Sequence, residues 1–182
     1  MAVRNKTDFI ANETYFITFT ISGWKEIFIN DKYCALVYKW FDYTKAKYGN
    51  KIHGYVIMPN HLHVLMYITH KSPKLSVLIQ NAKRFMAYEI INLLAKEGKI
   101  TLVEYFEISS DKRKAKHEVF QPRYDSLLIQ TEKMFRQKLN YIHNNPGQEK
   151  WDLADKPEGY KYSSAANYIS NSGSYKVDVV DR

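Results

Sequence analysis

Cysteine is nearly absent from these 182 residues. Cys34 stands alone, which excludes an intramolecular disulfide and a thiolate zinc site and fits a reducing, cytoplasmic setting. No apolar run reaches membrane-spanning length. The opening stretch from Met1 to Asp8 is polar where a secretory signal needs an apolar core. The chain therefore reads as soluble, with no membrane partner. Repeats, low-complexity blocks and linkers are also missing. A single domain over residues 1–182 is expected, with a turn-rich C-terminal extension from about residue 147. Acidic residues are in deficit, 19 against 27 Lys and Arg for a formal charge of +8. That balance favours a polyanionic partner such as nucleic acid.

Aromatic residues are plentiful: 15 Tyr, 9 Phe and 3 Trp. Most belong in a core, but rings among basic residues also suit the stacking of unpaired bases. Residues 14–21 are dense in β-branched and aromatic types and predict a strand ended near Gly23. From Asp31 to Tyr48 apolar positions recur at helical spacing, with Asp31 as N-cap and Gly49-Asn50 as the stop. Residues 52–58 and 62–68 read as an antiparallel hairpin around Pro59-Asn60-His61. Helices are predicted over 75–97, ended by Gly98, and over 130–144, ended by Pro146-Gly147. Residues 109–117 read as a polar basic loop, and a short strand is placed at 119–124. The order β, α, β, β, α, then β and α, predicts a ferredoxin-like (RRM-like) α+β sandwich. In it an antiparallel sheet carries its helices on one face.

Two constellations carry chemistry. In His61-Leu62-His63, at the start of a strand, the period of two turns both imidazoles to one face and Leu62, Val64, Met66 and Ile68 to the other. Two imidazoles so placed can share a divalent cation and leave open positions for a phosphate oxygen; the same pattern also fits two exposed polar residues beside a turn. In the last long helix, spacing sets Tyr141, Lys138 and Asn145 on one face, away from Phe135, Leu139 and Ile142. Tyr141 suits either a half-buried packing role or attack on phosphorus. The second needs electrophilic help, because a free phenol titrates near ~10. His143 is turned by about 160° from Tyr141 at 3.6 residues per turn and is left out of the site.

Four segments occur together: Met58-Pro-Asn-His-Leu-His-Val-Leu65, Val119-Phe-Gln-Pro-Arg-Tyr124, Tyr141-Ile-His-Asn-Asn-Pro146 and Tyr162-Ser-Ser-Ala165. Together they resemble the REP-associated tyrosine transposases, a branch of the single-tyrosine HUH transposases (histidine, hydrophobic residue, histidine). The resemblance runs from the first strand to Tyr168. It implies that His61 and His63 are metal ligands for Mg²⁺ or Mn²⁺, that Asn145 occupies the place of a third polar ligand, and that Tyr141 is the nucleophile. It further implies cleavage of single-stranded DNA beside hairpins of repetitive palindromic elements, through a 5′-phosphotyrosine intermediate, by a monomer or a homodimer. Two departures from the pattern are Phe120, where members often have tryptophan, and Gly147-Gln-Glu-Lys-Trp151, where a small basic segment is usual.

Lys83, Arg84, Arg113, Arg123 and Lys138 are candidate DNA phosphate contacts; each taken singly also reads as a solvated surface charge, which for Lys138 is the favoured reading, and the collective basic surface is the stronger signal. The alternative function is a domesticated nucleic-acid-binding protein that keeps the basic aromatic surface and does not cut.

Overall fold

The structure, a computed structural model, describes residues 9–108 and 116–180. Its elements follow in order: β1 (Glu13–Thr20), α1 (Asp31–Tyr48), β2 (Lys51–Met58), β3 (His61–Ile68), α2 (Leu75–Lys96), α3 (Ile100–Ile108), β4 (Asp125–Ile129), α4 (Glu132–Asn144) and α5 (Ala165–Ile169). The strands form one antiparallel sheet in the order β2-β3-β1-β4, the arrangement expected of a ferredoxin-like fold.

Strand alternation splits the apolar residues between two faces. Tyr15, Ile17 and Phe19 of β1, with Leu62, Val64, Met66 and Ile68 of β3, bury themselves against α1 and α2 through residues such as Phe41, Ile79 and Met86. The other face gathers Val56, Met58 and Leu65 with Leu139 and Ile142 of α4. So α1 and α2 share one face, as the pattern predicts, while α4 lies across the other. A register shift between Ile52 and Gly54 lets Ile52, Tyr55 and Ile57 face the same core.

Gly54 sets how closely α4 approaches the sheet. A Cβ built there would lie 2.6 Å from Leu139 Cδ1, so the helix rests on bare backbone at this point. Thr131 caps α4 by accepting from the Met134 N–H, which contributes about 1 kcal/mol.

Several boundaries differ from the sequence reading for physical reasons. Asn30, not Asp31, caps α1: its side chain accepts from the N–H groups of Lys32 and Tyr33. The Asp31 carboxylate is bound instead by Lys161 and Tyr162. The hairpin turn is Pro59-Asn60, and His61 already pairs with Met58 and Thr20. The strand expected at 119–124 begins at Asp125. Pro122 has no N–H to give a ladder, and the carbonyls of Gln121 and Arg123 are taken by the Lys83 ammonium; only Phe120 bridges back, to Ile21. Helix α3, which buries Phe106 in the main core, is an element that the sequence pattern does not predict. The basic loop expected at 109–117 lies mostly outside the described residues.

The extension beyond residue 147 is turn-rich and ordered. It runs along the free edge of β2: Ile57 N–H donates to Tyr162 O, Ser164 N–H to Tyr55 O, and Asp178 N–H to Ile52 O. The open edge of the sheet is thereby covered. Among the described residues no helix is long and apolar enough to cross a membrane.

Candidate active site

The face that carries α4 also carries both histidines. His61 and His63 alternate out of β3 onto it, with ring centroids 4.7 Å apart, and both are buried. Their Nδ1 atoms are engaged from behind. His61 Nδ1 lies 2.7 Å from Asn60 Oδ1, and because a carbonyl oxygen only accepts, Nδ1 carries the hydrogen and Nε2 keeps its lone pair. His63 Nδ1 lies 2.6 Å from the hydroxyl of Thr18, its cross-strand partner on β1. This is the pattern by which hydrogen bonds to one ring nitrogen orient the other toward a metal.

Burial also holds both rings neutral. Desolvation, then the charge of Lys150, pushes His61 down to about 4. Desolvation, then His61 and Lys138, pushes His63 down to about 3. Uncharged imidazole is the form that ligates. Phe16 stacks on His63 with centroids 5.3 Å apart, and His61 lies between Trp24 and Trp151, at 6.4 and 5.7 Å.

Tyr141 comes to this pair from α4. Its hydroxyl lies 3.5 Å from His63 Nε2, its ring meets His63 edge-on at 5.2 Å, and 42% of the residue remains exposed. The nitrogen of Lys138 sits 4.9 Å over the Phe16 ring and 5.7 Å from that of Tyr141. The helix face expected from spacing is thus realised for Lys138 and Tyr141, beside the histidines.

Asn145 is one turn further on, at the end of α4, and is 2% exposed. Its Oδ1 is buried and has no hydrogen-bond partner among the described residues. A buried carbonyl left unmatched calls for an explanation, and a cation is one that its chemistry suits. Among the described residues no cluster of three or more His, Cys, Asp or Glu could hold a metal, so a third ligand drawn from these residues would be of another type. Two adjacent neutral imidazoles can ligate a divalent cation and leave positions open for other oxygen donors, of which the unmatched amide oxygen of Asn145 is a candidate.

The other basic candidates are scattered. Lys83 donates to Gln121 O and Arg123 O at 2.9 and 2.8 Å, so its charge is held inside the fold. Arg84 lies on α2, on the opposite side of the sheet from Tyr141, and Arg123 is exposed just before β4. Arg113 lies outside the described residues. His143 faces away as expected, within 3.0 Å of the buried Ser164 hydroxyl. Sequence reasoning missed Thr18, Phe16, Trp24, Trp151 and Lys150. Asn60 alone left a signal, as the residue next to His61 in the turn.

One solved structure aligns along the whole chain. It is the REP-associated tyrosine transposase bound to a REP hairpin, with a TM-score of 0.65 and 16% identity, covering 100% of this chain and 95% of that one. The chain has the fold of that transposase. A second solved protein, described as a candidate transposase from Deinococcus radiodurans, aligns over 78% of this chain and 97% of its own at 13% identity. Its TM-score is 0.46. No protein-family model and no curated protein matches the sequence.

Proposed function

We propose that the chain is a metal-dependent, single-tyrosine transposase that cleaves and rejoins single-stranded DNA beside hairpins. The observation that carries this reading is the meeting of the Tyr141 hydroxyl with His63 Nε2 next to a second neutral imidazole. The transposase whose fold the chain shares was solved with a REP hairpin, and hairpin-bearing palindromic DNA is the substrate proposed here.

His61 and His63 would hold Mg²⁺ or Mn²⁺, with Asn145 as the third protein ligand. When bound, the cation supplies electron withdrawal at the scissile phosphate. Tyr141 provides the nucleophile. Its phenolic oxygen forms a bond to phosphorus, the bond from phosphorus to the 3′ oxygen breaks, and that oxygen leaves as a free 3′-OH. Phosphorus stays on the 5′ side, linked to Tyr141. The exposed phenol releases its proton to water, and the leaving oxygen takes one up. One phosphoester replaces another, so the link keeps the bond energy for rejoining and no nucleotide triphosphate is needed. Lys138 and Lys150 place positive charge where the strand's phosphates would pass.

A labelled hairpin-bearing single strand, incubated with the protein and Mg²⁺ or Mn²⁺, is expected to yield a protein-DNA band that survives denaturation. The band should vanish in Tyr141→Phe and on chelation. Tight binding with no adduct under any flanking sequence would instead identify a nucleic-acid-binding protein that does not cut.

A further inference from the structure

On the face of the sheet away from the histidines, α1 and α2 leave a groove of about 510 Å³ between them. That size is within the ~300–1,000 Å³ usual for a site that receives an organic ligand. Buried Trp40, Leu78 and Ala82 form its floor, and Tyr43, Phe85 and Tyr88 stand exposed around it. Tyr88 is 64% exposed, and with the exposed Tyr43 and Phe85 it makes a cluster of rings open to solvent at the groove. The indole Nε1 of Trp40 is buried without a partner among the described residues, which leaves a donor unspent beneath the groove.

The charged residues that line the groove have one sign. Lys39 and Arg84 line it, and no Asp or Glu among the described residues does. Lys47 adds a third cation at its edge, 2.7 Å from the Tyr43 hydroxyl and 5.1 and 5.5 Å from the Tyr43 and Tyr48 rings. Asn81 contributes an amide that can both donate and accept. Flat π-faces, cations and one adaptable amide are what an unpaired nucleotide requires, and a protein surface of mixed charge matches them less well.

We propose that the α1–α2 groove is a second single-stranded nucleic-acid site, separate from the Tyr141 site. Phe85 and Tyr88 stack one or two unpaired bases there, and Lys39 and Arg84 neutralise the adjoining phosphates. The proposal rests on the nucleic-acid reading above. Because the groove and Tyr141 lie on opposite faces of the sheet, the nucleotides it holds are remote from the cleaved phosphate. The site therefore anchors a strand and takes no part in the chemistry.

The test uses the full chain carrying Tyr141→Phe and a fluorescein-labelled oligothymidylate, followed by anisotropy. Phe85→Ala with Tyr88→Ala, and separately Arg84→Glu, should each weaken binding roughly tenfold or more with no fall in melting temperature. Bromouracil in the strand should photocrosslink to the α2 peptide. Unchanged binding in both variants, with crosslinks confined to α4 and the hairpin, would overturn the proposal. So would a parent dimer that dissociates in the double variant while oligothymidylate binding persists, since a second copy of the chain would then fill the groove. Adduct formation with Tyr141 intact separates the two readings. No adduct together with weakened binding in the groove variants sinks only the transposase, whereas a normal adduct with silent groove variants sinks only the groove.

Discussion

The phenolic oxygen of Tyr141 and Nε2 of His63, 78 positions apart in the chain, lie 3.5 Å apart in space. Two packing facts set that distance. Leu139 and Ile142, on the same helix as Tyr141, plug into the cluster around Val56, Met58 and Leu65. Gly54 lets the helix descend until Leu139 touches backbone. Helix depth and the separation of the two candidate catalytic groups are therefore one variable.

Gly54→Ala probes that variable. The new methyl group would press on Leu139 Cδ1, which is the end of a side chain able to rotate but already packed. Overpacking of this kind costs ~1–3 kcal/mol, and the lower end is expected here because a methyl group and no backbone must move. With α4 lifted, adduct yield with a hairpin substrate should fall by more than the loss of stability explains. A variant less stable by about 1 kcal/mol with a normal rate of adduct formation would show that the Tyr141–His63 distance does not matter.

Thr18→Val tests the support behind His63. The substitution keeps the β-branched shape on β1 and removes the hydroxyl 2.6 Å from Nδ1. Loss of such an orienting partner typically lowers metal affinity ~10–100-fold. Calorimetric titration with Mn²⁺ should show weakening in that range while thermal unfolding of the metal-free protein stays close to the parent. Equal Mn²⁺ affinity in the two proteins would mean that His63 ligates without help from Thr18, or does not ligate.

What was legible in advance follows from the range of the forces involved. The β2–β3 hairpin, α1 and α2 announce themselves through periodicity and local stops such as Gly49 and Gly98, whose φ values are 71° and 69°. The shared face of His61 and His63 follows from strand geometry alone. Thr18 behind His63 is a matter of cross-strand register, which no local pattern contains. Nor does local pattern say that α4 takes the opposite face from α1 and α2, since an apolar stripe does not name the surface it will cover. The strand at 119–124 was displaced to Asp125 by a distant residue, Lys83, that captures two of its carbonyls. α3 was hidden because Ile100, Leu102, Val103 and Phe106 form an apolar run too short for its period to be read.

Trp24 occupies the left-handed region, at φ 56°, where a bulky side chain costs ~1–2 kcal/mol. It is 57% exposed and lies beside His61, so its ring is held at the rim of the site at the expense of stability, a pattern associated with functional positions. Trp24→Gly removes the strain and the ring together. Chemical denaturation should show stability equal to or above the parent, while the affinity for single-stranded DNA falls by the ~1–3 kcal/mol of one lost stacking partner. A drop in stability with unchanged affinity would make Trp24 a packing residue.

Lys83 yields a prediction in pH. Burial, opposed in part by Asp125, pushes its ammonium down to about 8 from 10.5. Between those values the unfolded chain holds a proton that the folded chain has lost, so the Lys83 contribution to stability rises with pH across that window and is flat below it. The neutral amine still has two N–H groups for Gln121 O and Arg123 O, so the loop remains docked as the charge leaves. Urea unfolding of the parent and Lys83→Met from pH 7 to about 10.5 should show the gap between them widen in favour of the parent above pH ~8. A gap that narrows as pH rises would mean that the ammonium is better stabilised in the folded protein than in water, and that it is the charge of Lys83, more than its N–H groups, that holds the 121–123 segment.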